Sequence, residues 1–178
     1  MSVSNRMYVF LVYFRAPMTV PTQNPQTQTN TASCSPGWIM YHGSCYFFHT
    51  NIRYRWRDAN SFCSAHQTHL VNIETTEEDH FLKKESSKRI PLLNGAYSDT
   101  GVWVGGSDDA IEGRWEWIDG FSHTSKPIQG YSNWYRGEPD SGDGEHEEDC
   151  MCLVGEKGFQ WQDYHCSKHM FFICESST

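Results

Sequence analysis

The side chains best suited to bind a ligand lie between Tyr131 and Asp163, where carboxylates crowd into one short stretch. Seven carboxylates fall between Glu138 and Asp149, and no aliphatic residue separates them. Such a segment forms neither a buried strand nor an amphipathic helix. Calcium takes six to eight oxygen ligands from carboxylates and carbonyls in irregular geometry. The stretch therefore predicts a loop that binds a cation, with a solvated acidic loop as the alternative.

Two features favour the cation site over the solvated loop. Pro139 separates Glu138 from Asp140, so this turn is stiff and its two carboxylates are already placed. Gln162 and Asp163 form a second turn with side-chain oxygens, and it lies between two cysteines. A bridge between those cysteines would bring the two turns together.

Catalysis is the less favoured chemistry for these carboxylates. An acidic pair such as Glu147 and Glu148 has the groups for acid–base work on a glycoside. The chain contains no glycine-rich phosphate loop and no nucleophile elbow. We therefore predict a binding protein that is not an enzyme, with no catalytic residues; a glycoside hydrolase is the remote alternative.

Histidines near cysteines suggest a second kind of metal site, which we discount. Cys63, His66 and His69 follow one another at intervals of three, but Cys63 lies on the apolar face of a predicted helix. His165 and His169 are four residues apart without an acidic third ligand fixed beside them. The sequence has no C-x-x-C pair, so structural zinc is not expected.

Composition sets limits on the class of protein. The chain has 178 residues, enough for one domain and a tail, and 15% of them are aromatic. Its net charge of -8 argues against nucleic acid or an anionic membrane surface as a partner. Seven cysteines indicate an oxidising compartment and a disulfide framework with one thiol left over.

Three segments differ in character along the chain. Residues 1–16 contain a short apolar run, Met7 to Phe14, which is too short to span a bilayer and suggests a secretory signal peptide. A buried strand is the alternative. Residues 17–33 are rich in Pro, Thr, Gln and Asn and predict a disordered linker. Residues 34–178 have the residue pattern of a folded domain.

Two helices are predicted early in that domain. Apolar residues recur at intervals of three and four from Trp56 to His66, which gives one buried helix face. Thr75 and Glu78 form a capping box that opens a second helix, with Phe81 and Leu82 on its buried side.

Short strands dominate the rest of the domain. They are predicted as a hairpin within 38–47, single strands at 70–73, 102–105, 115–118 and 171–174, and a second hairpin from 151–154 to 159–161. Two helices with several short antiparallel strands indicate an α+β fold.

In order and spacing, these pieces resemble the C-type lectin-like carbohydrate-recognition domain in its long form, over Cys34 to Glu175. The matching pieces are Gly37-Trp38, Cys45-Tyr46, Trp56-x-x-Ala59 to Cys63, Leu70-Val71-x-Ile73, Trp103-Val104-Gly105, Tyr131-Ser-Asn-Trp134, Glu138-Pro-Asp140, Glu148-Asp149-Cys150, Trp161-Gln-Asp163 and Phe172-x-Cys174-Glu175. Each is weak alone, but the ordered set is specific.

The resemblance implies three disulfides, where the residues alone leave 15 pairings of six cysteines open. The implied bridges are Cys34–Cys45, Cys63–Cys174 and Cys150–Cys166. Cys152 is then unpaired. A buried position in the core is favoured for it, and the alternative is an intermolecular bridge that makes a homo-oligomer.

The resemblance also implies a calcium ion that binds sugar directly, and a proline in the cis form within the triplet. Carried over, the calcium and sugar ligands are Glu138, Asp140, Glu148, Gln162 and Asp163. A second, structural calcium would take Asp108, Glu112, Glu148 and Asp149. One further family ligand falls on Ser141, for which Asp143 is a substitute.

The sequence departs from the family pattern at two of these positions. The triplet is Glu-Pro-Asp, neither the mannose-type Glu-Pro-Asn nor the galactose-type Gln-Pro-Asp, and Gln162 stands where Asn is usual. Glu138 keeps the mannose-type first position, and only His146 could replace the stacking aromatic of galactose-type members. We therefore expect equatorial 3,4-diols of the mannose or glucose kind as ligands.

Taken together, the sequence predicts a secreted, calcium-dependent lectin that binds glycans, including those of microbial surfaces, in the manner of innate immune recognition. It predicts no nucleic acid partner and no membrane span. The first alternative is a module of the same fold that binds protein or another surface without sugar.

Overall fold

The computed structural model describes residues 33–90, 100–140 and 148–177. The predicted signal peptide and all but the last residue of the predicted linker lie outside the described residues. So do Ser141, Asp143 and His146 of the acidic loop.

The two predicted helices are present in the described part of the chain. Helix α1 spans Trp56–Ala65 and buries Trp56, Ala59 and Cys63 along one face, as the apolar spacing predicts. Helix α2 spans Thr76–Arg89. The Thr75 hydroxyl accepts a bond from the Glu78 amide at 3.1 Å, so it caps the helix. The return bond differs from the standard capping box, because Glu78 accepts from the amide of Glu74 at 2.9 Å.

The described residues also form nine strands in one mixed sheet. They are β1 (Ile39–Tyr41), β2 (Ser44–Tyr54), β3 (His69–Leu70), β4 (Gly101–Ser107), β5 (Glu116–Asp119), β6 (Thr124–Pro127), β7 (Cys150–Val154), β8 (Gln160–Tyr164) and β9 (Met170–Ser177). The main path runs β1-β2-β9-β4-β5-β6, with β3 on β9 and β7 between β4 and β8. A short 3₁₀ turn, Gly155–Lys157, joins β7 to β8.

The expectation of antiparallel strands alone is wrong at one pair. Strands β4 and β9 run parallel, with Val102 opposite Phe171 and Trp103 opposite Phe172. The strand predicted at 70–73 is also shorter, because β3 ends at Leu70. The Val71 backbone still bonds on both sides, giving its N–H to Ile173 and accepting from Gly105.

Strand β7 separates two apolar cores, because alternate residues of a strand point to opposite faces. Met151 and Leu153 belong to the core that contains Trp161. Cys152 and Val154 belong to the other core, on the same side as Cys150. The Cys152 thiol is fully buried. The buried interpretation of Cys152 is confirmed, and the intermolecular bridge is wrong because a buried thiol cannot reach a second chain.

All three disulfides implied by the resemblance are present. Cys34–Cys45 closes the first hairpin, Cys63–Cys174 joins α1 to β9, and Cys150–Cys166 joins the start of β7 to the chain beyond β8. The last bridge ties together the two segments that carry the predicted ligands on either side of the β7–β8 hairpin.

Within the described residues, no helix is both long and apolar enough to cross a membrane.

Candidate metal centre

The first candidate site begins at a turn between Tyr135 and Asp140. The Glu138 amide donates to the Tyr135 carbonyl at 3.0 Å, which closes the turn. The peptide bond between Glu138 and Pro139 is cis, as the resemblance implies. The triplet has one carboxylate on each side of Pro139: that of Glu138 is half-buried and that of Asp140 is exposed.

Strand β8 supplies the facing side of this site. Gln162 and Asp163 lie opposite Cys152 and Met151 of β7 in a regular antiparallel ladder. Both β8 side chains are buried, at 8% and 2% exposure. A rigid strand therefore holds an amide and a carboxylate where a loop would leave them mobile.

Two hydrogen bonds join the triplet to β8. The Gln162 side-chain amide donates to Glu138 Oε1 at 2.5 Å, and the Asp140 backbone amide donates to Asp163 Oδ2 at 3.0 Å. As a result, carboxylate oxygens of Glu138, Asp140 and Asp163 all lie within 4.8 Å of one another. The structure thus brings together four of the five residues predicted to hold calcium and sugar.

The electrostatics of this cluster are those of crowded like charges. Burial and the neighbouring Asp163 and Asp140 carboxylates together raise the pKa of Glu138 to about 7, against the lowering effect of the bond from Gln162. A bound cation would reverse this effect, because it favours the charged form of every carboxylate around it.

A second cluster lies at the end of β4, where Asp108, Glu112 and Asp149 place carboxylate oxygens within 4.8 Å of one another. The Asp108 amide donates to the Asp149 carbonyl at 3.3 Å, and Asp108 Oδ2 accepts from the Gly113 amide at 2.9 Å. Asp108 Oδ1 is buried and has no hydrogen-bond partner among the described residues. Burial raises the pKa of Asp108 to about 6, with Glu112 and Asp149 adding to the effect.

Glu148 joins neither cluster, although both ligand sets were expected to include it. Its Oε1 lies 3.3 Å from His165 Nε2. No sequence motif marks this contact, because the two residues lie in separate segments.

A buried carboxylate beneath the first cluster was also missed. Asp79 of α2 is fully buried, and its oxygens accept bonds from Trp161 and Asn133. No motif marks it, because a lone acid in a polar helix usually faces solvent. Only its place beside the buried face of α2 indicates that Asp79 is buried.

Comparison with known proteins finds similarity over most of the folded domain. The family model for the lectin C-type domain matches residues 52–176. The mouse CD209 antigen-like protein D is 37% identical over 143 residues, which cover 80% of this chain and 52% of that protein. The chain spans about a third to a half of the length of the curated relatives it matches.

Solved carbohydrate-recognition domains share the whole fold. The mouse scavenger receptor C-type lectin domain superposes with a TM-score of 0.66 at 32% identity, covering 82% of this chain and 98% of that one. The cow CD23 domain, determined in the presence of a GlcNAc2Man3 oligosaccharide, gives 0.64 at 28% identity, with 82% and 97% covered. Members of the family are not enzymes and are typically carbohydrate-binding proteins, and they generally bind calcium, but a calcium-independent antifreeze protein also shares the fold. With its fold, its three disulfides and the match over most of its length, this chain belongs to the C-type lectin domain family.

Proposed function

We propose that this chain binds carbohydrate in a calcium-dependent manner at the cluster formed by Glu138, Asp140, Gln162 and Asp163. The observation that carries the proposal is the convergence of three carboxylates within 4.8 Å across two cross-bonded segments. Such a cluster costs free energy through mutual repulsion unless protons or a cation neutralise it.

The donor set suits calcium. Carboxylate and amide oxygens are the ligands that hard divalent cations take, and the cluster offers three carboxylates and the amide oxygen of Gln162. Glu148 completes the proposed set, and its Oε1 lies 3.3 Å from His165 Nε2 in this structure. When bound, calcium supplies open coordination positions that two neighbouring sugar hydroxyls can fill.

The second cluster is proposed as a structural calcium site. Its fit rests on Asp108 Oδ1, a buried oxygen that lacks a hydrogen-bond partner among the described residues. A buried acceptor of this kind is costly unless something satisfies it. Asp108, Glu112 and Asp149 would hold this cation, and Glu148 was expected to join them.

The same side chains would contact the sugar. Carboxylates accept hydrogen bonds from sugar hydroxyls, and the Gln162 amide is the one donor among the proposed ligands. Each hydroxyl can therefore donate to a carboxylate while a neighbouring hydroxyl accepts from Gln162. The Gln162 NH₂ group has two N–H donors, and one of them bonds to Glu138 in this structure.

We propose mannose-type or glucose-type sugars, with equatorial 3,4-diols, as the ligands. Glu138 at the first position of the triplet is the mannose-type residue, and the related cow CD23 domain was determined with a mannose-containing oligosaccharide. Glycans, including those of microbial surfaces in innate immune recognition, are the proposed partners. Three disulfides support secretion to an oxidising, extracellular setting.

The departures at Asp140 and Gln162 favour one rival function, a lectin-fold module that binds protein or another surface without sugar. With Asp140 in place of Asn, the triplet has lost its side-chain donor. If the rival is correct, calcium would still bind the acidic cluster, but sugar would not follow.

The deciding experiment is chromatography on immobilised mannose and galactose, with and without calcium, followed by a glycan array under both conditions. We expect retention on mannose in millimolar calcium and elution by EDTA. Asp163→Ala should abolish retention, whereas Asp109→Ala, at a partly exposed carboxylate paired with Arg57, should not. Retention in excess EDTA would contradict calcium dependence, and the absence of any glycan signal with calcium bound would favour the rival.

A further inference from the structure

Asp79 occupies an unusual place in α2, because a fully buried carboxylate is surrounded by donors from three parts of the chain. Asp79 Oδ1 accepts from the Trp161 indole at 3.0 Å, and Oδ2 accepts from the Asn133 side chain at 2.9 Å. Lys83, one turn further along α2, lies 3.0 Å from Oδ2. The Tyr131 hydroxyl also bonds to Asp79, and burial together with the Asp79 charge raises the pKa of that hydroxyl.

Three of these donors, Trp161, Tyr131 and Asn133, belong to the two segments that meet at the first cluster. Trp161 directly precedes Gln162 and Asp163 in β8. Tyr131 and Asn133 belong to the segment that leads into the Glu138–Pro139 turn. The Asp79 carboxylate therefore bonds to residues of both segments.

Backbone hydrogen bonds continue from these residues to the Glu138 side of the cluster. The Trp161 amide donates to the Asn133 carbonyl at 3.0 Å, and the Tyr135 amide donates to the Trp161 carbonyl at 2.8 Å. The Glu138 amide then donates to the Tyr135 carbonyl at 3.0 Å. Four hydrogen bonds thus connect the Asp79 side chain to Glu138, and every bond is within normal distance.

Aromatic packing fixes the same region. The Trp161 ring meets Trp117, Tyr131 and Trp134 edge-on, with centroids 5.6 to 5.8 Å apart. Edge-to-face contacts of this kind leave the ring plane determined but do not satisfy the indole N–H. Because Trp161 is fully buried, Asp79 is the group that satisfies it.

We infer that Asp79 is a positioning residue for the ligand-binding cluster: it holds the Tyr131–Asp140 segment and the Trp161–Asp163 end of β8 in mutual register from inside helix α2. It touches neither cation nor sugar. Its effect on calcium affinity rests on the function proposed above, whereas its effect on the order of the two segments does not.

The test compares Asp79→Asn with wild type. Asparagine has the same shape but only one acceptor oxygen. Its NH₂ group must face either the Trp161 indole or the Asn133 amide, so one of these two hydrogen bonds is lost. The matched control is Leu70→Ala, a fully buried residue of the other core, which lowers stability without contacting this network. Asn133→Ala, at a half-buried position, removes one of these two bonds alone and carries the test if Asp79→Asn does not fold.

The first measurement is amide hydrogen exchange in EDTA. We expect Asp79→Asn to lower the protection of the Tyr135 and Glu138 amides about tenfold relative to the slowest-exchanging amides of the protein, which report global unfolding. We expect Leu70→Ala to leave this ratio unchanged. The second measurement is calorimetric titration with calcium chloride. We expect about tenfold weaker binding in Asp79→Asn, since residues that orient metal ligands have effects of this size, and no change in Leu70→Ala.

The outcomes separate the two proposals. Unchanged protection ratios and unchanged calcium affinity in Asp79→Asn would overturn the role of Asp79 and leave the proposed function standing. Selective loss of protection in a protein whose wild type binds no calcium would support the positioning role and overturn the calcium site.

Discussion

The carboxylates of Glu138 and Asp163 serve two purposes, because hydrogen bonds place them and they are also the proposed contacts for a ligand. Asp163 illustrates this at the residue scale. Its Oδ2 receives the Asp140 amide, so the side chain shapes the triplet turn even before any cation binds. Removing its charge and removing its shape are therefore separable experiments.

Asp163→Asn makes this separation. The amide oxygen of asparagine can still accept from Asp140, but the negative charge is gone. We expect calcium affinity to fall at least about tenfold, or about 1.4 kcal/mol, with little change in the melting temperature measured in EDTA. Calorimetric titration measures the calcium affinity and thermal unfolding measures the melting temperature, with Asp109→Asn as the surface control. Equal affinity in both variants would show that Asp163 is not a ligand.

His49 predicts an acid sensitivity that is independent of the metal site. Its ring stacks on Phe172 with centroids 4.3 Å apart and also contacts Phe62. Burial, together with the nearby His66, lowers the pKa of His49 to about 4. Because the folded pKa is depressed, the stability from neutral His49 is complete above the unfolded value of about 6.5. It is lost as the pH falls from there to about 4.

The measurement is urea unfolding in EDTA at pH 7 and pH 5. Wild type should lose about 1 to 2 kcal/mol more than His49→Phe over this interval, after discounting for the part of the ring that remains in water. His80→Gln, at an exposed histidine of α2, should behave as wild type. An identical loss in His49→Phe and wild type would assign the acid sensitivity to other groups.

At the scale of elements, the start of α2 depends on one exposed side chain. The Thr75 hydroxyl satisfies the Glu78 amide, which has no partner within the helix. Thr75→Ala should therefore cost about 1 kcal/mol of unfolding free energy. The neighbouring Thr76→Ala is the matched control, because Thr76 lies within the first turn and gains helix propensity. Urea unfolding curves that shift equally for both variants would rule out the cap.

The elements that the sequence predicted are those with a local signal. Thr75 and Glu78 mark a helix start three residues apart in the chain, and the structure has the helix there. Strand β6 was missed because all four of its residues, Thr124–Pro127, are polar or exposed and show no apolar alternation. The parallel pairing of β4 with β9 was also missed, because pairing between distant segments leaves no trace in local periodicity.

The candidate site divides in the same way. The resemblance placed Glu138, Asp140 and Asp163 in one site, and the structure brings them together. It could not place Glu148 beside His165, nor Asp79 beneath Trp161, because both contacts arise only when separate segments pack. Side chains that act through neighbours carry no motif of their own.

At the scale of the whole molecule, the disulfides differ in the length of chain that they close. Cys63–Cys174 spans 111 positions and Cys34–Cys45 spans 11. In the chain-entropy model the longer loop stabilises the fold by roughly 2 kcal/mol more than the shorter one. Double alanine variants of each bridge, compared by urea unfolding in the presence of calcium, should show this order. Equal losses would indicate that packing and not loop length determines their contribution.

The buried thiol of Cys152 gives the protein a built-in reporter. Burial raises the pKa of this thiol, so almost no thiolate is present at neutral pH. Cys152 also faces Gln162 across the β7–β8 ladder. An alkylating reagent can modify it only in molecules whose sheet has opened, and the six other cysteines are held in bridges. The labelling rate of the native protein therefore counts openings of the strand pair behind the site, and a ligand that holds this pair closed would slow the rate in proportion to its occupancy.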